Sequence, residues 1–246
     1  MKVLGVIPAR YHSQRLPGKV LLPLRGKPMV QHVYERAQKV FGEDLIVATD
    51  DMRVVEAVES FRGHVMMTRT THTSGTERVS EVAEKTQYDA YVNIQADEPF
   101  IEPEQLIMLR EMLQRYPLVS LFHRIHVLDE LLSPSVVKVI VDKEGKALYF
   151  SRSLIPHPRG LPLNSPELVG RIGYFRHVGI YGYHRKTLLE IVSLASCPLE
   201  EVEQLEQLRW LYHGYPIWLR ETSHRSFAVD TPEDYEAAQK MAEILL

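Results

Sequence analysis

"VLGVIPARYHSQRLPGKVLLPLRGKP", residues 3–28, sets the reading of the whole chain. It starts as the continuous apolar run VLGVIPA, the pattern of a strand buried on both faces. It then turns into a loop of Arg, Ser, Gln, Pro, Gly and Lys. Lys2, Arg10, Arg15, Lys19, Arg25 and Lys27 are all basic, and the first acidic residue is Glu35. The chain as a whole has 246 residues and a net charge of −3. A cationic cluster in a near-neutral protein points to a small anionic ligand. Nucleic acid would call for a basic excess instead. The loop has neither the Gly spacing of a Walker A motif nor a GxGxxG pattern.

Beyond this stretch two periodicities alternate. Residues 28–41 have helical spacing, with Pro28 at the first helical position. DLIVATD is a strand ending at Asp50, DMRVVEAVESF a helix and HVMMT a short strand. GTERVSEVAEKTQ is a helix with Thr76 as its cap. DAYVNIQADEP is a strand ending in acids, EPEQLIMLREMLQRY a helix opened by Pro103, and LVSLFHRI a strand. The alternation predicts an α/β fold: a mostly parallel, mixed sheet with helices on both faces.

After about residue 130 the rhythm changes. VVKVIVDKEGKALYFSR reads as a hairpin turned by KEG. Residues 156–173 are rich in Pro and Gly and read as a loop, suited to closing as a lid. FRHVGIYGY is a strand, HRKTLLEIVS and PLEEVEQLEQLRWLYH are helices, PIWLRE is a strand and TPEDYEAAQKMAEIL a closing helix. The chain reads as one domain over 1–246, with an elaboration at about 130–185.

An apolar fraction of 45% suits a globular core, and Trp210 and Trp218 read as core aromatics. The single cysteine, Cys197, excludes an internal disulfide and fits a reducing cytosol. The run VLGVI is too short for a secretion signal, and no stretch nears the ~18–20 apolar residues that span a bilayer. These features predict a cytoplasmic protein with no membrane association.

In an open α/β sheet, ligands sit beyond the C-terminal ends of the strands. That places the basic loop at the ligand, with Arg10, Arg15 and Lys19 around phosphates and Ser13 donating hydrogen bonds. Asp97 follows the apolar run AYVNI, and Asp230 follows SFAV and precedes a helix. Two strand-end aspartates suit magnesium, a hard cation that takes one or two carboxylates plus substrate phosphates. VDTPED reads equally as a plain helix start, capped by Thr231 or Asp230 with Pro232 in the first turn. On its own, Arg78 reads as an exposed helix residue.

The chain also resembles the 3-deoxy-manno-octulosonate (Kdo) cytidylyltransferases, the CMP-Kdo synthetases. The resemblance runs in order through IPARYHSQRLPGKVLLPLRGKPM, VATDD, SGTERVSEV, NIQADEP, VKVIVDKEGKALYFSRSLIP, RHVGIYGY, LEEVEQLEQLRWL and VDTPEDYE. It implies a nucleotide-diphospho-sugar transferase-like (Rossmann-like) fold. It also implies transfer of CMP from CTP to Kdo with magnesium, in a homodimer supplying lipopolysaccharide synthesis. By this resemblance Asp97 and Asp230 hold the metal, and Arg10, Arg15, Lys19 and Asp97 carry the chemistry. Ala9, Arg10, Ser13, Arg15, Lys19, Ser74, Gly75, Thr76, Arg78, Gln95 and Ala96 contact the nucleotide. Arg152, His177, Tyr181, Glu206 and Gln207 contact the sugar acid. The chain departs from the family in having Ala96 and Ala228 where glycine is usual. Two other readings stand beside this one: the same chemistry on 8-amino-Kdo, a sialic acid or a sugar phosphate, and a nucleotide-binding module without catalysis.

Overall fold

The computed structural model describes all residues but Gln14, Asn164, Ile172 and Leu246, together with the side chain of Arg171. In chain order the elements are β1 (Val3–Pro8), β2 (Pro23–Leu24), β3 (Lys27–Pro28), α1 (Met29–Phe41), β4 (Leu45–Thr49), α2 (Met52–Ser60), β5 (Val65–Met67), α3 (Gly75–Lys85), β6 (Ala90–Asn93) and α4 (Pro103–Leu113). There follow β7 (Leu118–Arg124), α5 (Leu128–Leu132), β8 (Lys138–Val141), β9 (Ala147–Ser151), α6 (Glu167–Arg171), β10 (Phe175–His184), α7 (Arg185–Ile191), α8 (Pro198–Glu203), α9 (Glu206–Tyr212), β11 (Trp218–Glu221) and α10 (Pro232–Leu245). The chain divides into two compact units. One comprises Met1–Arg115, Ile180–Val192 and Ser226–Leu246; the other comprises Tyr116–Gly179 and Ser193–Arg225.

In the first unit, β1 lies between β4 and β6 and is parallel to both, with Gly5 opposite Leu45 on one side and Val92 on the other. β5 extends the sheet beyond β4 in parallel, and the last residues of β10 pair antiparallel with β6. The sheet is thus mixed and mostly parallel. Burial on both faces explains why β1 reads as an unbroken apolar run. Gly5 leaves room for α1: a Cβ there would lie 2.8 Å from the Leu45 side chain and 2.9 Å from the Phe41 ring. No helix among the described residues is long and apolar enough to cross a membrane.

The second unit holds the parallel pair β7–β11, the antiparallel hairpin β8–β9 and the first residues of β10, antiparallel to β8. Ile125, Leu131, Val136, Leu168 and Tyr174 form a buried cluster of their own.

Several local readings change. Pro28 stands just outside α1, with ψ at 145°, and Met29 begins the helix. Ser74 caps α3 in place of Thr76: its side chain accepts from the Glu77 amide at 3.2 Å. The Pro- and Gly-rich segment 156–173 contains α6, anchored by the fully buried Leu168. Residues 198–213 form two helices, because Gln204 turns into the left-handed region at φ 53°. The carbonyls freed there are used by Arg152, whose guanidinium donates to Glu203 O at 2.8 Å and Gln204 O at 3.3 Å. Trp210 is buried, whereas Trp218 is half-buried and stacks on Tyr116 at 4.1 Å.

Because a methyl group on Gly5 meets both α1 and β4, Gly5→Ala lowers stability by about 1–3 kcal/mol. Phe41→Leu in the same chain restores part of the loss. Denaturant midpoints of the single and double variants check this, and an unchanged midpoint for Gly5→Ala refutes the packing argument.

Candidate active site

The first unit opens a pocket of about 380 Å³ beyond the C-terminal ends of β1 and β6. Arg10, Ser13, Arg15, Lys19, Gly75, Arg78, Gln95, Ala96 and Asp97 line it, joined by Pro8, His12 and Val20. Eight of the eleven residues expected at the nucleotide therefore share one cavity with Asp97.

The basic loop is aimed by its turns. Gly18 adopts φ 69°, a left-handed conformation that favours glycine, and its amide donates to Tyr11 O at 3.0 Å. A single 3-10 turn, Lys19–Leu21, follows and directs Lys19 inward. Its Nζ donates to Asp97 Oδ2 at 2.5 Å and to Asp230 Oδ1 at 2.8 Å. Arg15 adds a second contact to Asp230, NH2 to Oδ2 at 3.0 Å. The Lys19 side chain is 13% exposed, that of Asp230 38%.

The electrostatics follow from this geometry. Burial works against the Lys19 ammonium, but the charge of Asp97 and the hydrogen bonds to both aspartates outweigh it and raise its pKa above 10.5. Burial likewise opposes the charge of Asp230, and Lys19 with Arg15 more than offsets it, so its pKa falls below 3.8.

Asp230 is left available for this role because Thr231 caps α10. The Thr231 hydroxyl accepts from the Asp234 amide at 3.2 Å, and the Asp234 carboxylate accepts from the Asp230 and Thr231 amides at 3.1 and 2.9 Å. The helix-start reading of VDTPED thus falls on Thr231, and the Asp230 carboxylate is left to pair with Lys19 and Arg15. A shared apolar cluster sets the three segments in place: Leu24, Met29, Phe100, Val229, Ala238 and Ala242, with Leu16 and Phe227 packed against it. The Val229 amide also donates to Asp97 O at 2.9 Å.

In the same pocket, Arg78 is fully buried, not an exposed helix residue. Its NH2 donates to Asp50 Oδ2 at 2.9 Å and its NH1 to Thr68 Oγ1 at 2.5 Å, while Nε has no hydrogen-bond partner. The start of α3 is held by Glu81, which accepts from the Arg69 amide at 2.9 Å, from Lys85 at 2.6 Å and contacts His72 at 2.5 Å. Although burial opposes its charge, these partners hold the Glu81 carboxyl well below the usual carboxylate range. Ala9, Ser74 and Thr76 stand off the pocket wall. Ala9 is buried with its amide on Ala48 O at 2.9 Å, Ser74 is the cap of α3, and Thr76 is buried with its hydroxyl 3.5 Å from Tyr183 Oη.

The residues expected at the sugar acid are divided between the units. Tyr181 is buried in the first, its ring stacked on Tyr183 at 5.9 Å. Arg152, His177, Glu206 and Gln207 belong to the second. There Arg152 is tied to the α8–α9 junction, and its NH1 also donates to Pro134 O at 3.2 Å. Glu206 pairs with Arg209 at 3.2 Å, and Gln207 is buried. His177 packs against Phe150 at 5.0 Å with Nε2 3.0 Å from Ser120 Oγ. Burial, helped by Arg176, pushes the His177 pKa down to about 3, so the ring is neutral. Lys138 is a residue that pattern reading missed. Its buried ammonium donates to the carbonyls of Ser133, Val136 and Arg152 and so fixes the backbone of Arg152. Its position in an apolar strand gave no sign of this.

The model of one protein family, described as cytidylyltransferase, matches residues 4–241. The chain belongs to the cytidylyltransferase family. It is 49% identical over 248 residues to the 3-deoxy-manno-octulosonate cytidylyltransferase of Geobacter metallireducens, covering 96% of each chain. It is 46% identical over 240 residues to the protein of the same name from Fusobacterium nucleatum, covering 96% of this chain and 95% of that one. Among solved structures it is similar to a CMP:2-keto-3-deoxy-manno-octonic acid synthetase complexed with CTP, with a TM-score of 0.92, 43% identity and complete coverage of both chains. The fold is thus that of the nucleotidyltransferases, as the resemblance implied.

As to metal, the donor set of this cytidylyltransferase fits a hard cation. Two carboxylate oxygens, on segments far apart in sequence, converge within 2.8 Å of one nitrogen atom.

The pH behaviour of the cluster is fixed by its partners. Lys19 contributes stability that is complete below its ordinary pKa of 10.5 and is lost as pH rises through the raised value. Asp230 contributes stability that is present above 3.8 and is lost as pH falls through the lowered value. The Tm difference between wild type and Lys19→Met is therefore flat from about pH 5 to 9 and narrows beyond both ends. A difference independent of pH from about 2 to 11 refutes the coupling.

Proposed function

We propose that this chain is a Kdo cytidylyltransferase. It transfers CMP from CTP to the anomeric hydroxyl of Kdo, giving CMP-Kdo and pyrophosphate. The observation that carries the reading is the pocket lined by Arg10, Arg15, Lys19 and Asp97, where Asp97 and Asp230 converge on the Lys19 ammonium. It is supported by near-complete similarity to relatives named for this reaction.

In the reaction a bond forms between the sugar oxygen and the α-phosphorus. The α–β phosphoanhydride bond breaks, pyrophosphate carries off the electron pair, and the hydroxyl proton is released. Arg10, Arg15 and Lys19 offset the charge of the triphosphate and of the departing pyrophosphate. Gln95, Gly75 and Arg78 line the same pocket and recognise the nucleoside. Asp97 and Asp230 would hold magnesium, which would supply Lewis-acid stabilisation of phosphate charge. The neutral His177 gives the sugar acid a hydrogen-bonding group and no charge. The sugar contacts of Arg152, Tyr181, Glu206 and Gln207, and the nucleotide contacts of Ala9, Ser74, Thr76 and Ala96, are proposed on the same resemblance.

The reading extends to a cytoplasmic enzyme that supplies activated Kdo for lipopolysaccharide. It also extends to a homodimer. Exposed apolar side chains on the second unit, Leu148 of β9, Val202 of α8 and Tyr212 of α9, support the dimer. Sedimentation of a dimer by wild type and a monomer by Val202→Asp is the expected result; a monomeric wild type refutes the dimer.

The reaction is tested by pyrophosphate release from CTP and magnesium with Kdo, 8-amino-Kdo, N-acetylneuraminate or no acceptor. Kdo-dependent release is expected, with Asp97→Asn reducing it by at least about 10²–10³-fold. Release only with another acceptor overturns the sugar assignment. CTP binding without release under any acceptor makes the chain a nucleotide-binding module.

A further inference from the structure

Lys19 occupies the seat of the ion that Asp97 and Asp230 are proposed to hold. Its ammonium lies 2.5 Å from one carboxylate and 2.8 Å from the other, on the pocket wall where the loop and the strand end meet. Arg15 completes the group at 3.0 Å from Asp230. Two acids and two bases make a formally neutral cluster. A divalent cation entering this group meets the Lys19 and Arg15 charges at close range and finds its oxygen ligands already taken.

We propose that Lys19 is a built-in stand-in for the divalent cation, holding Asp97 and Asp230 together until nucleotide arrives. The proposal rests on the reading of these aspartates as metal ligands. A triphosphate offers Lys19 and Arg15 a new set of anionic oxygens in the same pocket. As the ammonium turns to the phosphates, the two carboxylates are freed for metal. Metal and triphosphate therefore enter as one exchange of partners, and each raises the affinity for the other, as binding linkage requires. Lysine suits this role better than arginine. It is a compact point charge on a flexible stem with three donors, and it exchanges ligands without having to realign a planar fork.

The test is Mn²⁺ binding, followed by the free-ion electron paramagnetic resonance signal, in the full-length protein with and without a non-hydrolysable CTP analogue. Wild type binds Mn²⁺ weakly alone and tightly with the analogue. Lys19→Met, which keeps the stem and removes the charge, binds Mn²⁺ without nucleotide at least about tenfold more tightly than wild type. Mn²⁺ then restores the Tm that this variant has lost. Arg10→Met removes a charge of the same loop that hydrogen-bonds Thr73 O and touches neither aspartate, and it leaves nucleotide-free Mn²⁺ affinity near the wild-type value. Equal gains in Lys19→Met and Arg10→Met reduce the effect to a general field and overturn the stand-in. So does no gain in Lys19→Met while wild type with analogue still binds Mn²⁺. Absence of Mn²⁺ binding to wild type even with the analogue overturns the metal-ligand reading itself. If Lys19→Met does not fold, the wild type decides: nucleotide-independent Mn²⁺ affinity refutes the exchange.

Discussion

A single ammonium group set between Asp97 and Asp230 is the contact on which the ligand-facing end of the first unit depends. It joins segments 78 and 211 residues away from Lys19 in sequence. Nothing local holds these three segments together. The loop after β1, the loop after β6 and the start of α10 are brought to one place by the sheet and by the cluster of Leu24, Phe100, Val229 and Ala238. The apolar cluster supplies the undirected part of the free energy. The ion pairs then choose one arrangement of the carboxylates among those the cluster would accept. A parallel sheet suits this division of labour, since its strand ends deliver loops to one edge where polar backbone and charged side chains meet water.

Much of the fold was legible because the sheet of the first unit is buried on both faces. An unbroken run such as VLGVI has few other places to go, and the helical spacing after it fixes the alternation. Errors fell where a distant partner decides a local shape. Residues 198–213 have helical spacing throughout, yet the helix stops where Gln204 turns left-handed, and Arg152 takes the carbonyls of the break. α5 and α6 are single short turns, too brief for a periodicity to register, and they persist through burial of Leu131 and Leu168.

The candidate site was half legible. The cationic loop declared itself by running against the charge of the chain. The residues of SGTERV did not, since Arg78 looks like a solvent-facing helix residue until Asp50 and Thr68 are placed beside it. VDTPED was ambiguous because neighbouring residues divide the work: Thr231 caps the helix, and Asp230 pairs with a lysine far away in sequence. Proximity of Lys19 to two aspartates so far away in sequence leaves no trace in composition or spacing.

The burial of Arg78 has a thermodynamic consequence for how ligand would be held. Its guanidinium is fixed before any ligand arrives, so its rotamer entropy has already been lost in folding. Two other arginines of the pocket differ from it, for Arg15 has a side chain 63% exposed and Arg10 is exposed as well. Ordering those long side chains on an anionic ligand would cost rotamer entropy at the moment of association. Arg78 is thus a preformed contact, whereas a ligand would have to order the two exposed arginines itself.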